Sequence, residues 1–212
     1  MWLTVATLLN FTNAVVLSPA GTSPLEQKAA TVLVEEVEER TAVRWPVARE
    51  WPSSSQPVIV VSAAASFAQL RNRAQSEPEL AQGAEGYRIW VEQAGGQLRA
   101  FVVGNDPRGT LYGVGRLLQQ LRMSKGMIEL DSNFRLSTAP RTPLRGHQLG
   151  YRPKTNSYDG WTVAMWEQYI RDLVVFGTNA IQLIPPRSDD APDSPHFPLP
   201  PMQMMIEMSR LA

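Results

Sequence analysis

The 212-residue chain is 43% hydrophobic and 19% charged, enough apolar material for one large domain or two small ones and too much for a disordered chain. Twenty Lys and Arg balance twenty Asp and Glu, so no basic excess points to nucleic acid and no acidic tail points to a basic partner. With no cysteine, disulfides, thiolate metal centres and thiol catalysis are excluded; with only His147 and His196, a multi-histidine site is not expected, and no metal or cofactor is predicted.

The opening "MWLTVATLLNFTNA" is apolar but lacks the Lys or Arg that starts a signal peptide, and it is too short to span a membrane as a helix. It is read as an apolar first strand or a stray start, with a signal peptide as the weaker alternative. "AVVLSP", 14–19, is a strand closed by proline. Ser23, Pro24 and Glu26 then spell a capped helix start, and Leu25, Ala29, Val32, Leu33 and Val37 share one helical face. Glu35, Glu36, Glu38 and Glu39 are assigned to its solvated side. "WPVAREWPSSSQP" reads as a loop and "VIVVSAA", 58–64, as a buried strand. Residues 66–82 are polar and irregular. The alternation in "EGYRIWVEQ", the "AGGQ" turn and "LRAFVVGN" predict a β-hairpin over 87–103.

"GNDPRGTLYGVGRLL", 104–118, follows. Glycines at a strand-to-helix junction can cradle a phosphate, but this stretch matches neither G-x-G-x-x-G nor G-x-x-x-x-G-K-[ST]. Asp106 is an N-cap with Pro107 behind it, and Gly104 ends the strand. Gly109 and Gly113 lie inside the helix, four residues apart. Glycine costs about 1 kcal/mol per helical position, so close packing on a sheet is the expected compensation. "GMIELD", 126–131, is a further strand. The order β-α-β-(α)-β-β-α-β predicts an α/β sandwich, a mixed sheet with helices on one face, over 14–136.

A proline-bearing linker, 137–143, leads to a second unit, 144–212. It holds a short strand, "LRGHQLGY", a polar loop and the helix "VAMWEQYIRDLVVFG". In that helix Val163, Trp166, Ile170, Leu173 and Val174 point inward and Gly177 is the C-cap. The strand "NAIQLI", a long loop and a last helix complete it. This is the β-loop-α repeat of a parallel barrel, yet it falls far short of the ~250 residues of eight such units. The chain is therefore expected to be the front of a longer protein and to carry the first two βα units of a truncated TIM barrel.

The stretch G-x-D-x-R-G-x-L-Y-G-V, the following "PRTPLRG", 140–146, and "FGTNAIQLI" resemble the accessory domain and first barrel segment of glycoside hydrolase families 20 (β-hexosaminidases) and 67 (α-glucuronidases) and their relatives. The resemblance covers about residues 14–185. It implies a glycoside hydrolase-like protein of bacterial type, periplasmic or secreted, acting on a carbohydrate substrate, with the accessory domain supporting the barrel. Family 20 places Leu-Asp-x-x-Arg-His after the first-strand Arg-Gly and His-x-His on the second strand. Here "HQLGYRPKTNSYDGW" and "QLIPPRSDD" stand instead, which counts against a plain hexosaminidase site. The catalytic carboxylates that the family carries on its fourth strand are expected beyond residue 212, so the chain by itself is expected to be inactive.

By the same resemblance Arg145 matches the arginine that grips sugar hydroxyls; a salt bridge in the barrel base is its plain alternative. The loop 150–161 offers Tyr151, Arg152, Lys154, Asn156, Tyr158, Asp159 and Trp161, a mixture of rings and hydrogen-bonding groups that suits a sugar cleft and an exposed loop equally. Arg187, Asp189, Asp190 and His196 follow the second strand, for ligand contact or for solvation. Adjacent aspartates rarely reach the ~5–9 Å separation of an acid–base pair. A non-catalytic carbohydrate-binding or interaction module is the competing reading, and a nucleotide-dependent enzyme is the weakest.

Overall fold

The computed structural model describes residues 7–149, 157–183, 191 and 193–212. The chain divides into two compact units, Met1–Arg141 and Thr142–Ala212.

The first unit runs β1 (Leu8–Asn10), β2 (Val15–Leu17), α1 (Pro24–Thr41), β3 (Val47–Ala48), β4 (Val58–Ala63), α2 (Ala64–Phe67) with a 3-10 turn at Ala68–Arg73, β5 (Tyr87–Ala94), β6 (Gln97–Gly104), α3 (Pro107–Leu118), β7 (Arg122–Ser124), β8 (Met127–Asp131) and β9 (Arg135–Thr138). Six strands form a mixed sheet in the order β3-β2-β4-β6-β5-β9, in which β5 alone runs against the others. A separate antiparallel sheet has the order β1-β8-β7. Strands β3, β7 and β9 fall outside the strands read from the sequence. They are two to four residues long, too short for an alternating pattern to stand out. Strand β9 carries the sheet to Thr138, inside the stretch read as linker, and β1 starts before residue 14.

Strand β4 is buried along its whole length, which is why its sequence is a continuous apolar run. On one face of the sheet Leu17, Val58, Val60, Trp90, Phe101 and Val103 cluster with Phe67 of α2. Trp90 and Phe101, opposite one another across the hairpin, stack with centroids 4.5 Å apart, and Phe67 meets both edge-on at 5.8 Å. The other face carries α3, whose Gly113 lies over Val102, and α1, which packs on α3 and β4. The two long helices thus share one face, but α2 and its 3-10 turn cover the other, so the expectation of helices on one face only is corrected. The β5–β6 turn is Gly95-Gly96, both with positive φ (59° and 78°), the conformation a two-residue hairpin turn requires.

Helix α1 begins with the capping box read from the sequence. Ser23 Oγ accepts from Glu26 N–H, and Glu26 Oε2 accepts from Ser23 N–H at 2.8 Å. Glu26 does more: its Oε1 accepts from the Ala63 amide at 2.7 Å, joining the helix start to the end of β4. Burial pushes the Glu26 pKa up, but the amides of Ala63 and Ser23, with the Ser23 and Ser66 hydroxyls, outweigh it and hold the pKa below the ordinary value of 4.5. A depressed folded-state pKa contributes stability above the unfolded value and loses it as pH falls through the folded one. Glu26→Ala is expected to cost about 2 kcal/mol at pH 7, for the cap and the orphaned amide together. Urea titrations from pH 7 to 3 should also show a shallower acid limb in Glu26→Gln than in the parent. An unchanged limb would remove Glu26 from the acid response.

One expectation for α1 is overturned. Glu36, assigned to the solvated side, is fully buried and ion-paired with Arg40 one turn on. The sequence shows one apolar stripe, but β7 packs against α1 in addition to α3 and β4, so a second flank of the helix is covered.

The second unit comprises β10 (Gly146–Gln148), a 3-10 turn (Ser157–Gly160), α4 (Val163–Val175), β11 (Ala180–Gln182) and α5 (Pro201–Leu211). Strands β10 and β11 are parallel neighbours, Gly146 opposite Ala180 and Gln148 opposite Gln182. Thr162 caps α4 by accepting from Met165 N–H, and Gly177, with φ 88°, turns the chain out of it. Trp166 alone is buried among the five residues of α4 read as inward-facing, and it packs with Leu149, Met204 and Met208, so α5 completes this small core.

Candidate functional site

The glycine-rich stretch is settled by close backbone approach. Gly104 ends β6, but a Cβ there would also lie 2.1 Å from Thr110 N; one on Gly109 would lie 2.1 Å from Gly86 O. The helix N-terminus, where a phosphate would sit, is filled by a carboxylate: Asp106 Oδ1 accepts from Gly109 N–H at 2.8 Å and Oδ2 from Glu85 N–H at 2.7 Å. A negative group in that position repels an anion, so these glycines serve packing.

The remaining candidates lie in the second unit, where the loops after β10 and β11 leave from the C-terminal ends of parallel strands. Tyr151, Arg152, Lys154, Asn156, Arg187, Asp189 and Asp190 lie outside the described residues. Arg145 precedes β10 and so stands at the opposite, N-terminal end of the strand. Its Nε donates to Gly177 O at 2.7 Å and one terminal nitrogen to Thr142 O at 3.0 Å. Asn179 reinforces the tie, accepting from Arg145 N–H at 2.8 Å and donating to Pro143 O at 2.7 Å.

Asp159 is buried in the 3-10 turn. Trp161 is half-buried, its ring 5.0 Å from Trp166 and 5.2 Å from Tyr169, with Tyr158 at 6.4 Å. Its indole therefore packs on the core of this unit as well as bordering the loop. His196, from the loop after β11, reaches this turn: a Cβ on Gly160 would be 3.4 Å from His196 Cε1. The two loops therefore meet at Gly160 and His196, and His196 Nε2 is buried with no hydrogen-bond partner.

Two residues of this region were not picked out from the sequence. His147, in the middle of β10, meets Tyr169 of α4, with Nε2 and the phenol oxygen 2.5 Å apart, and burial pushes the Tyr169 pKa up. The scarcity of histidine was the one available signal; the contact depends on how α4 lies over β10. Along the strand pair runs an open, mostly apolar groove of about 330 Å³, lined by Leu144, His147, Ala180 and Ile181 among others. Among the described residues no three His, Cys, Asp or Glu side chains converge as metal ligands.

No family model matches the sequence, and no curated protein matches it. Solved structures do match, glycoside hydrolases among them. One is a family GH115 4-O-methyl-α-glucuronidase, BtGH115A, with specificity for decorated arabinogalactans: TM-score 0.63, 14% identity, over 82% of this chain and 25% of that one. A GH20 exo-β-N-acetylglucosaminidase from Vibrio harveyi gives 0.53 and 14%, over 84% and 22%. The Streptomyces plicatus N-acetyl-β-hexosaminidase gives 0.54 and 16%, over 84% and 31%. The chain therefore has a mixed α/β fold found in glycoside hydrolases of families 20 and 115, and it spans between about a fifth and a third of the length of these enzymes.

Proposed function

We propose that this chain is the front part of a carbohydrate-active hydrolase, with an accessory α/β domain followed by the first βα units of a (β/α)8 barrel. The likeness to GH115 and GH20 enzymes supports this reading, because it extends over more than four-fifths of the chain and so reaches into the second unit. The second unit supports it further. Its two parallel strands leave an apolar groove along their length, and Phe176 and Leu144 are 77% and 69% exposed. Further βα units would cover such a surface. Sugar contact is assigned to the loops after β10 and β11, through Trp161 and His196 together with Tyr151, Arg152, Asn156, Arg187 and Asp189, whereas Asp159, buried in the 3-10 turn, is assigned to shaping the first loop. Arg145 is assigned to holding the start of β10, since two of its donors bond backbone carbonyls at the far end of the strand.

The test compares residues 1–212 with the product of the full reading frame on 4-nitrophenyl glycosides of N-acetylglucosamine and glucuronic acid. Turnover by the longer product and none by residues 1–212 is expected. A stop codon after Ala212, with glycan binding and no hydrolysis, would establish the binding-module reading instead.

A further inference from the structure

On the α2 face of the first unit, away from any residue used above, the loop after β3 and the β5–β6 hairpin enclose a groove of about 520 Å³. Trp51 lies at its centre. The guanidinium carbons of Arg73 and Arg99 stand 5.3 and 5.2 Å from the Trp51 ring centroid, within cation–π reach. The group is held in place. Gln97 Oε1 accepts from Trp51 Nε1 at 3.2 Å and from Arg99 Nε at 3.3 Å, while Gln97 Nε2 donates to the Ser54 and Gln56 carbonyls at 3.0 Å. Arg99 also donates to Arg73 O at 2.7 Å.

What this group lacks is a counter-charge. Neither Arg73 nor Arg99 is ion-paired with a described residue, whereas Arg40, Arg44, Arg71, Arg88 and Arg108 of this unit are. The carboxylate that the hairpin register places across from Arg99 is Glu92. Its oxygens are committed elsewhere, accepting from Gln75 N–H, Ser76 N–H, Ser76 Oγ and Trp90 Nε1. Two guanidiniums therefore converge on one preorganised indole with donors to spare, beside the exposed hydroxyls of Ser53 and Ser55. A forked donor set of this kind grips an oxyanion through two oxygens together.

We propose that this groove binds the acidic groups, carboxylate or sulfate, of an anionic polysaccharide. The site is too small in charge to suit nucleic acid, whose affinity grows with the number of neutralised phosphates. The anion site stands on the geometry alone, whereas the choice of a sugar as its carrier rests on the hydrolase reading. The whole 212-residue chain is titrated with hexagalacturonic acid, a sulfated dextran oligomer and neutral dextran, following tryptophan fluorescence and calorimetry. One or both acidic ligands should bind saturably and neutral dextran should not; the two acidic arms decide between carboxylate and sulfate. Arg73→Gln, an exposed change that keeps the Tm, should weaken binding about tenfold, and Trp51→Phe should abolish the fluorescence response. No saturable binding to either acid, equal binding by Arg73→Gln, or preferential binding of single-stranded DNA or inorganic phosphate would overturn the proposal. The readout is binding and not hydrolysis, so an inactive full-length product with intact acid binding would sink the hydrolase reading and leave the anion site standing.

Discussion

Gly109→Ala is expected to destabilise the first unit by about 3 kcal/mol or more, near the limit for overpacking. The added carbon would sit 2.1 Å from Gly86 O and 3.2 Å from the carbonyl carbons of Glu85 and Gly86. All three atoms are backbone, so no side-chain rotation relieves the clash. The start of α3 would have to move off the approach to β5, and it is held there from both sides: Asn105 N–H donates to Gly86 O at 2.8 Å, and Asp106 accepts from Glu85 N–H. The gain in helix propensity, about 1 kcal/mol, is too small to compensate. Gly113→Ala serves as the comparison. There the closest atom is a side-chain methyl, Val102 Cγ1 at 2.8 Å, which can shift, and the propensity gain offsets part of the cost. Urea unfolding followed by circular dichroism should rank the parent and Gly113→Ala well above Gly109→Ala. A Gly109→Ala protein as stable as the parent would mean that α3 does not approach β5 this closely.

The second large effect lies in β5. Arg88 is 3% exposed in the sheet, and its charge is answered by Glu77 at 2.5 Å. The contact is made by a terminal guanidinium nitrogen, and Arg88 Nε is buried without a hydrogen-bond partner, so Glu77 is the carboxylate that offsets the buried charge. Burial pulls the Arg88 pKa down, Glu77 raises it and Arg71 lowers it further, and the guanidinium stays charged. Glu77→Ala leaves that charge buried without its counter-ion, which typically costs about 3–5 kcal/mol. Replacing both partners by apolar groups, Glu77→Leu with Arg88→Met, is expected to restore most of the loss, because neither charge then has to be desolvated. Thermal unfolding of the two variants separates a needed ion pair from a merely tolerated one. A loss below about 1 kcal/mol in Glu77→Ala would show that water reaches Arg88.

These effects differ in how far the sequence announces them. Gly109 and Gly113 stand out as helix glycines, and spacing alone suggests packing. That Gly109 meets backbone while Gly113 meets a methyl requires the sheet. Arg88 and Glu77 carry no signal at all, because an arginine in an alternating strand reads as an outward residue. The candidate site divides likewise. The strand–loop–helix–strand order over 146–182 and the loops after each strand are legible, whereas the meeting of Gly160 with His196 and of His147 with Tyr169 depends on how α4 and the two loops fold back. Arg145 shows the reverse case: family resemblance suggests a sugar ligand, and the hydrogen bonds to Gly177 and Thr142 tie it to the N-terminal end of its strand.

By itself the sequence determined what is local: the Ser23–Glu26 and Asp106–Pro107 helix starts, the Gly95-Gly96 hairpin, the buried run of β4, and the alternation of strands with helices. Each is written in residues a few positions apart, whose side chains compete for the same backbone groups. Tertiary structure alone decided which flank of α1 is covered, and so the burial of Glu36; the pairing of the short strands β1, β3, β7 and β9; and the gathering of Trp51, Arg73 and Arg99 around one groove. These depend on free energy gained between segments tens of residues apart, for which no periodicity exists along the chain.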